Sequence, residues 1–230
     1  MTAATHMTPL RPGLPELPPG VKALPIDDRG YPVPWFVQWF LPDGTAAEPG
    51  VGKPDFRVAD GRKRNAAVRL KLCWICGQPL GKRFAFVIGP MCAVNRVAGD
   101  PPMHVGCAEF SAIACPFLSR PSAERRDAKL PEGGTIPGFG IMRNPGVALV
   151  WITDRYAPFN DAKGSFLLRI GGPIGLLWYA EGRQATRAEI LASIDSGLPI
   201  LRDVAREDGP DAEAALEAQI ATALDLVPAR

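Results

Sequence analysis

The chain has 230 residues, of which 47% are hydrophobic and 22% charged, so it can bury a core and is not a disordered chain. Its length fits one full-sized domain or two small ones, and 25 prolines and 24 glycines point to a loop-rich fold. The formal net charge of +2 hides an asymmetry: residues 53–126 carry thirteen Lys and Arg against five Asp and Glu, whereas residues 131–230 carry nine against thirteen.

No run of 18 apolar residues occurs, which argues against a transmembrane helix, and the N-terminus lacks a basic start followed by an apolar segment. The expectation is a cytoplasmic protein with no membrane partner. In that compartment thiols stay reduced, and closely spaced cysteines more often hold metal than form disulfides.

Residues 1–34 read as a proline-rich arm, extended and without a core of its own. "WFVQWF" at 35–40 fits a strand ending in an Asp43-Gly44 turn, with a second short element at 56–58. Residues 62–72 have the composition of a short helix, with Ala66, Ala67 and Leu70 at helical spacing. A strand follows at 83–89, then a helix over 101–118 opened by prolines. Residues 119–145 are polar and rich in Gly and Pro, and read as a linker.

Three strands are expected at 147–153, 165–170 and 174–180, with Gly171-Gly172-Pro173 as a hairpin turn between the last two. A helix then starts at a capping box of Thr186 and Glu189, with Gly197 as its stop. Two further helices are separated by Gly209-Pro210, and the last carries an apolar stripe including Leu216, Ile220 and Ala223. The fold class expected is α+β: an arm (1–34), a β element with a metal module (35–118), the linker (119–145), and a small antiparallel sheet covered by helices (146–230).

All five cysteines fall between 73 and 115. Cys73 and Cys76 are separated by two residues, and His104 and Cys107 repeat that spacing after a gap of 27 residues. Two intervening residues let one turn aim both side chains at one ion, and thiolate with imidazole suits tetrahedral Zn²⁺. Gly77 relieves steric limits in that turn. Structural zinc at Cys73, Cys76, His104 and Cys107 is the leading reading. A metal-free cysteine cluster, a redox pair, and an iron–sulfur cluster using Cys92 or Cys115 in place of His104 stay open.

A cysteine knuckle, an intervening strand and a ligand pair opening a helix resemble the treble-clef zinc fold of LIM-type, RING-like and HNH-nuclease modules, over about residues 70–118. The resemblance implies a zinc module and no particular function. It does not carry nuclease activity across, because His6 and His104 are the only histidines and His104 is already assigned. The segments "PVPWF", "CWICG" and "GPMCAVNR" are also similar to segments of uncharacterised bacterial and tailed-phage proteins.

Arg62, Lys63, Arg64, Arg69, Lys71, Lys82, Arg83 and Arg96 flank the knuckle, and Trp74 and Phe84 between them either stack on bases or pack inside. The first functional expectation is therefore a non-catalytic, zinc-stabilised protein that contacts nucleic acid through this basic set. The alternative is a protein–protein adaptor or inhibitor, phage-encoded and acting on a host factor. A third reading is an enzyme with its site near Asp154, Arg155, Tyr156, Asn160 and Asp161.

Overall fold

The computed structural model describes residues 8–120, 146–161 and 164–229. Nearly all of the expected linker, 121–145, lies outside the described residues. Antiparallel sheets and helices mix along the chain, an α+β architecture.

The first part holds α1 (Pro19–Lys22), β1 (Val37–Phe40), β2 (Ala46–Ala47), β3 (Lys53–Ala59) and α2 (Gly61–Leu70). Strands β2, β1 and β3 form a small sheet in that order. Asp60 caps α2, accepting from the Arg62 backbone N–H at 2.9 Å. Lys71 ends the helix in the left-handed conformation, φ 52°, and turns the chain into the knuckle.

Next come β4 (Phe84–Ile88), α3 (Pro90–Asn95), β5 (Val97–Ala98) and α4 (Val105–Ala114). After residue 145 follow β6 (Ala148–Thr153), β7 (Tyr156–Asn160), β8 (Phe166–Ile170), β9 (Gly175–Ala180) and β10 (Arg183–Gln184). The chain closes with α5 (Arg187–Asp208) and α6 (Pro210–Leu224).

The central sheet has the order β10-β9-β6-β4, with all pairs antiparallel. Strand β4 pairs with β6 from Phe84↔Thr153 to Ile88↔Leu149, so segments on either side of residues 121–145 share one sheet. Side chains alternate across it, as the strand period of two requires. Phe84, Phe86, Leu149, Trp151 and Trp178 face a core completed by α3, α5 and α6. Ala85, Val150 and Tyr179 face the opposite core, built from α4 and the cysteine knuckle. The sheet therefore separates the C-terminal helices from the knuckle.

Several local expectations change in the fold. Gly171-Gly172-Pro173 is not a hairpin turn: β8 belongs to the sheet β5-β8-β7, and β9 belongs to the central sheet. The crossing is pinned to β6, where the Trp151 indole donates to the Gly171 carbonyl at 3.0 Å and the Thr153 hydroxyl to that of Gly172 at 2.9 Å. Gly171 is needed for close approach, since a Cβ there would lie 2.7 Å from the Arg155 carbonyl oxygen.

The chain also does not stop at Gly197. Helix α5 runs 22 residues through Gly197 and Pro199. Gly197 serves packing, because a Cβ there would meet the Met91 sulfur of α3 at 2.7 Å. Asp154 and Arg155 lie between β6 and β7, and residues 156–160 beside them form the edge strand β7, where Pro158 needs no ladder hydrogen bond on the open side. Helix α4 begins at Val105 rather than 101, because Met103 is extended and exchanges backbone hydrogen bonds with Ala85 of β4 at 2.8 and 2.9 Å.

The described part of the proline-rich arm has core contacts. Val21 and Val33 are buried, and Leu17 and Leu24 pack against the knuckle cluster. Asp27 holds the return of this segment by accepting from the backbone N–H groups of Arg29 and Tyr31.

Candidate metal centre

The knuckle is a tight turn closed by backbone bonds. The Cys73 N–H donates to the Gln78 carbonyl and the Gly77 N–H to the Cys73 carbonyl, both at 2.8 Å. Gly77 takes φ 71°, a left-handed conformation that glycine adopts at no steric cost. Leu72 and Pro79 bridge across the base of the turn. The second ligand pair sits at the start of α4, with His104 as the residue preceding the helix and Cys107 in its first turn. There the exposed helix N–H groups favour a thiolate.

These two segments meet. The Sγ atoms of Cys73, Cys76 and Cys107 and a ring nitrogen of His104 all lie within 4.8 Å of one another. Zn–S bonds of about 2.3 Å imply ligand–ligand edges of about 3.8 Å in a tetrahedron, so the cluster has the dimensions of one metal site. His104 Nδ1 lies 3.4 Å from Cys76 Sγ and 4.0 Å from Cys107 Sγ. Its Nε2 lies 3.1 Å from the Pro79 carbonyl, which assigns the proton to Nε2 and leaves Nδ1 to face the sulfurs. Neither Cys92 nor Cys115 belongs to the cluster.

All three cysteines are buried. Three thiols this close share their protons unequally. Hydrogen bonds first from Cys107 and then from Cys73 favour Cys76 as the thiolate. Cys107 is driven far upward by its hydrogen bonds to Cys73 and Cys76, by burial and by their charge. A divalent cation removes this conflict, because it stabilises every coordinating thiolate at once. The His104 backbone N–H also points at Cys73 Sγ, 3.4 Å away.

The eight basic residues divide by position. Arg62 forks onto Asp60, Nε to Oδ1 at 3.2 Å and Nη2 to Oδ2 at 3.0 Å. Lys63 is largely covered, over the Trp35 ring and 4.0 Å from Asp60. Arg64 donates to the carbonyls of Gly99 and Phe166 and lies over the Phe166 ring. Arg96 is partly buried in a left-handed turn after α3. Arg69, Lys71, Lys82 and Arg83 are exposed and form no ion pair among the described residues.

Trp74 and Phe84 pack inside. Trp74 stacks on Phe36 with ring centroids 4.6 Å apart, and Phe84 meets Tyr156 edge-on at 5.0 Å. Around the third candidate region, Thr153 is buried and Tyr156 packs on Phe84 and Phe86. A mainly apolar cavity of about 130 Å³ lies elsewhere, lined by residues including Phe86, Met91, Val147, Gly197 and Ile200. No described helix is long and apolar enough to cross a membrane.

Fold and site together define an α+β chain with a Cys₃His cluster that can hold a metal ion. Compared with protein-family models, curated proteins and solved structures, the chain shows no match.

Proposed function

We propose that the chain is a zinc-stabilised binding protein whose treble-clef-like module contacts nucleic acid through the exposed cations beside the knuckle. The observation that carries this reading is the convergence of Cys73, Cys76, His104 and Cys107 within 4.8 Å, from two segments far apart in sequence. Three thiolates and one imidazole suit Zn²⁺, fill a tetrahedron and leave no position for a reacting water, which makes the centre structural.

Arg69 and Lys71 end α2, and Lys82 and Arg83 lead into β4. The Leu80 N–H donates to the Lys71 carbonyl at 2.8 Å, which ties these two basic segments together at the rim of the knuckle. With Trp74 and Phe84 buried, no base-stacking platform interleaves the cations, so the contact suits phosphate backbone rather than stacked bases.

The test is a gel-shift series at rising salt, with the metal content of the protein measured in parallel. Binding of duplex DNA or RNA that weakens steeply with salt is expected. Replacing Lys71 and Lys82 with Gln should lower the log–log slope by about one for each cation lost. Retention of no nucleic acid at low salt overturns the reading.

A protein–protein role is the second reading. Ile200 and Val204, one helical turn apart on α5, are each 52% exposed. A specific protein captured by the wild type and lost with Val204→Asp would favour it.

A further inference from the structure

The N-terminal segment lies directly on the metal cluster. Helix α1 is a single turn, started by Pro18 and Pro19 and closed by Val21 and Lys22 N–H groups donating to the Pro18 carbonyl at 2.9 and 3.0 Å. It presents Gly20 to Cys76. A Cβ at Gly20 would stand 2.7 Å from Cys76 Sγ and 2.8 Å from Cys76 Cβ, closer than side chains tolerate. Only a hydrogen fits there. Next to it, Val21 is fully buried in the cluster that contains Cys73, Cys76 and Cys107. One residue before α1, Pro18 lies 3.7 Å from where a Cβ on Gly106 would sit, so the segment also touches the ligand helix α4.

Trp35, two residues before β1, also lies against the knuckle. The Trp35 N–H donates to the Ile75 carbonyl at 2.6 Å, and a Cβ on Gly77 would meet the Trp35 ring at 2.7 Å. Gly20 against Cys76 and Gly77 against Trp35 thus mark where the chain closes over the knuckle.

We propose that residues 17–24 are a seal on the metal centre: the ion leaves, and the buried thiolates are reached, only when this segment lifts away. The inference rests on the reading of the cluster as a metal site. Because both events share the same contacts, docking of the segment and retention of the ion are coupled in both directions. Opening needs no global unfolding, since the segment is one short helical turn and its own backbone bonds span only a few residues. Gly20 acts as a positioning residue through Cys76, not as a ligand.

The experiment compares release of Zn²⁺, or of Co²⁺ followed by its charge-transfer absorption, to a chromogenic chelator. The variants are Gly20→Ala, Glu16→Gln at the exposed residue just before the segment, and Ile190→Val in the helical core across the sheet. Gly20→Ala should release the ion roughly tenfold faster or more, the change expected when local opening becomes easier. Glu16→Gln and Ile190→Val should release it at the wild-type rate, although Ile190→Val also loses core packing.

In wild-type protein, hydrogen exchange of residues 17–24 should accelerate on metal removal more than that of residues 190–198. This measurement decides the matter if Gly20→Ala does not fold. Equal release from Gly20→Ala and wild type, or exchange of 17–24 that is indifferent to the ion, overturns the seal while leaving the metal centre standing. Purified protein that takes up neither Zn²⁺ nor Co²⁺ overturns the metal centre and the seal with it.

Discussion

His104 presents Nδ1 to the sulfurs because its other nitrogen is committed to the Pro79 carbonyl. That bond orients the ring and sets its tautomer. His104→Ala should therefore weaken metal binding by more than the roughly 10–100-fold typical of outer-shell changes. His104→Cys should retain the ion as a four-thiolate site, a difference read directly by competition with a chelator. Equal affinities for the two variants would remove the histidine from the ligand set.

A second residue-scale test concerns Glu189. The Arg183 guanidinium, then the N–H and hydroxyl of Thr186, hold its carboxyl down to about 2. A carboxylate lowered in the folded state stabilises at pH above its unfolded value and loses that contribution as pH falls toward the folded value. The Tm advantage of wild type over Glu189→Gln should thus be full above about pH 5 and shrink as pH falls toward about 2. An advantage that does not change with pH would show that the ionised form of Glu189 plays no part in the cap.

At the scale of elements, α5 illustrates a helix held by packing against its own local signals. Gly197 and Pro199 are both poor helix residues, costing roughly 1 and 3 kcal/mol relative to alanine in a helix interior. Yet Ile190, Ile194 and Leu198 are buried on one face and carry the helix through them. The glycine is kept by the Met91 thioether seated against it. Gly197→Val should therefore destabilise by about 1–3 kcal/mol through overpacking, measured by urea unfolding. Unchanged stability would mean that α3 and α5 have room to separate.

At the scale of the whole molecule, one sheet serves two cores. Its odd and even residues face opposite sides, so β6 places Leu149 and Trp151 in one core and Val150 in the other. Loss of the ion from the knuckle face should be felt across the sheet by the helices on the far face. Calorimetry should show a single cooperative transition, moved to lower temperature by metal removal. Two separate transitions, only one of them sensitive to chelator, would show that the faces melt independently.

Much of this was legible in sequence. Paired spacing nominated Cys73, Cys76, His104 and Cys107. Strand composition placed β4, β6, β8 and β9 within a residue or two, and Thr186 with Glu189 announced the start of α5. These signals are local: a turn, a period of two, or a cap is written within a few residues. What the tertiary structure alone decided is which pieces meet. Gly171 and Gly172 looked like a hairpin but lead from one sheet to another. Gly197 looked like a stop but accommodates a sulfur. The proline-rich segment looked like a tail but lies on the Cys₃His cluster through Gly20. Glycine permits a turn and close contact equally well, so its meaning depends on neighbours distant in the chain, which a local pattern does not contain.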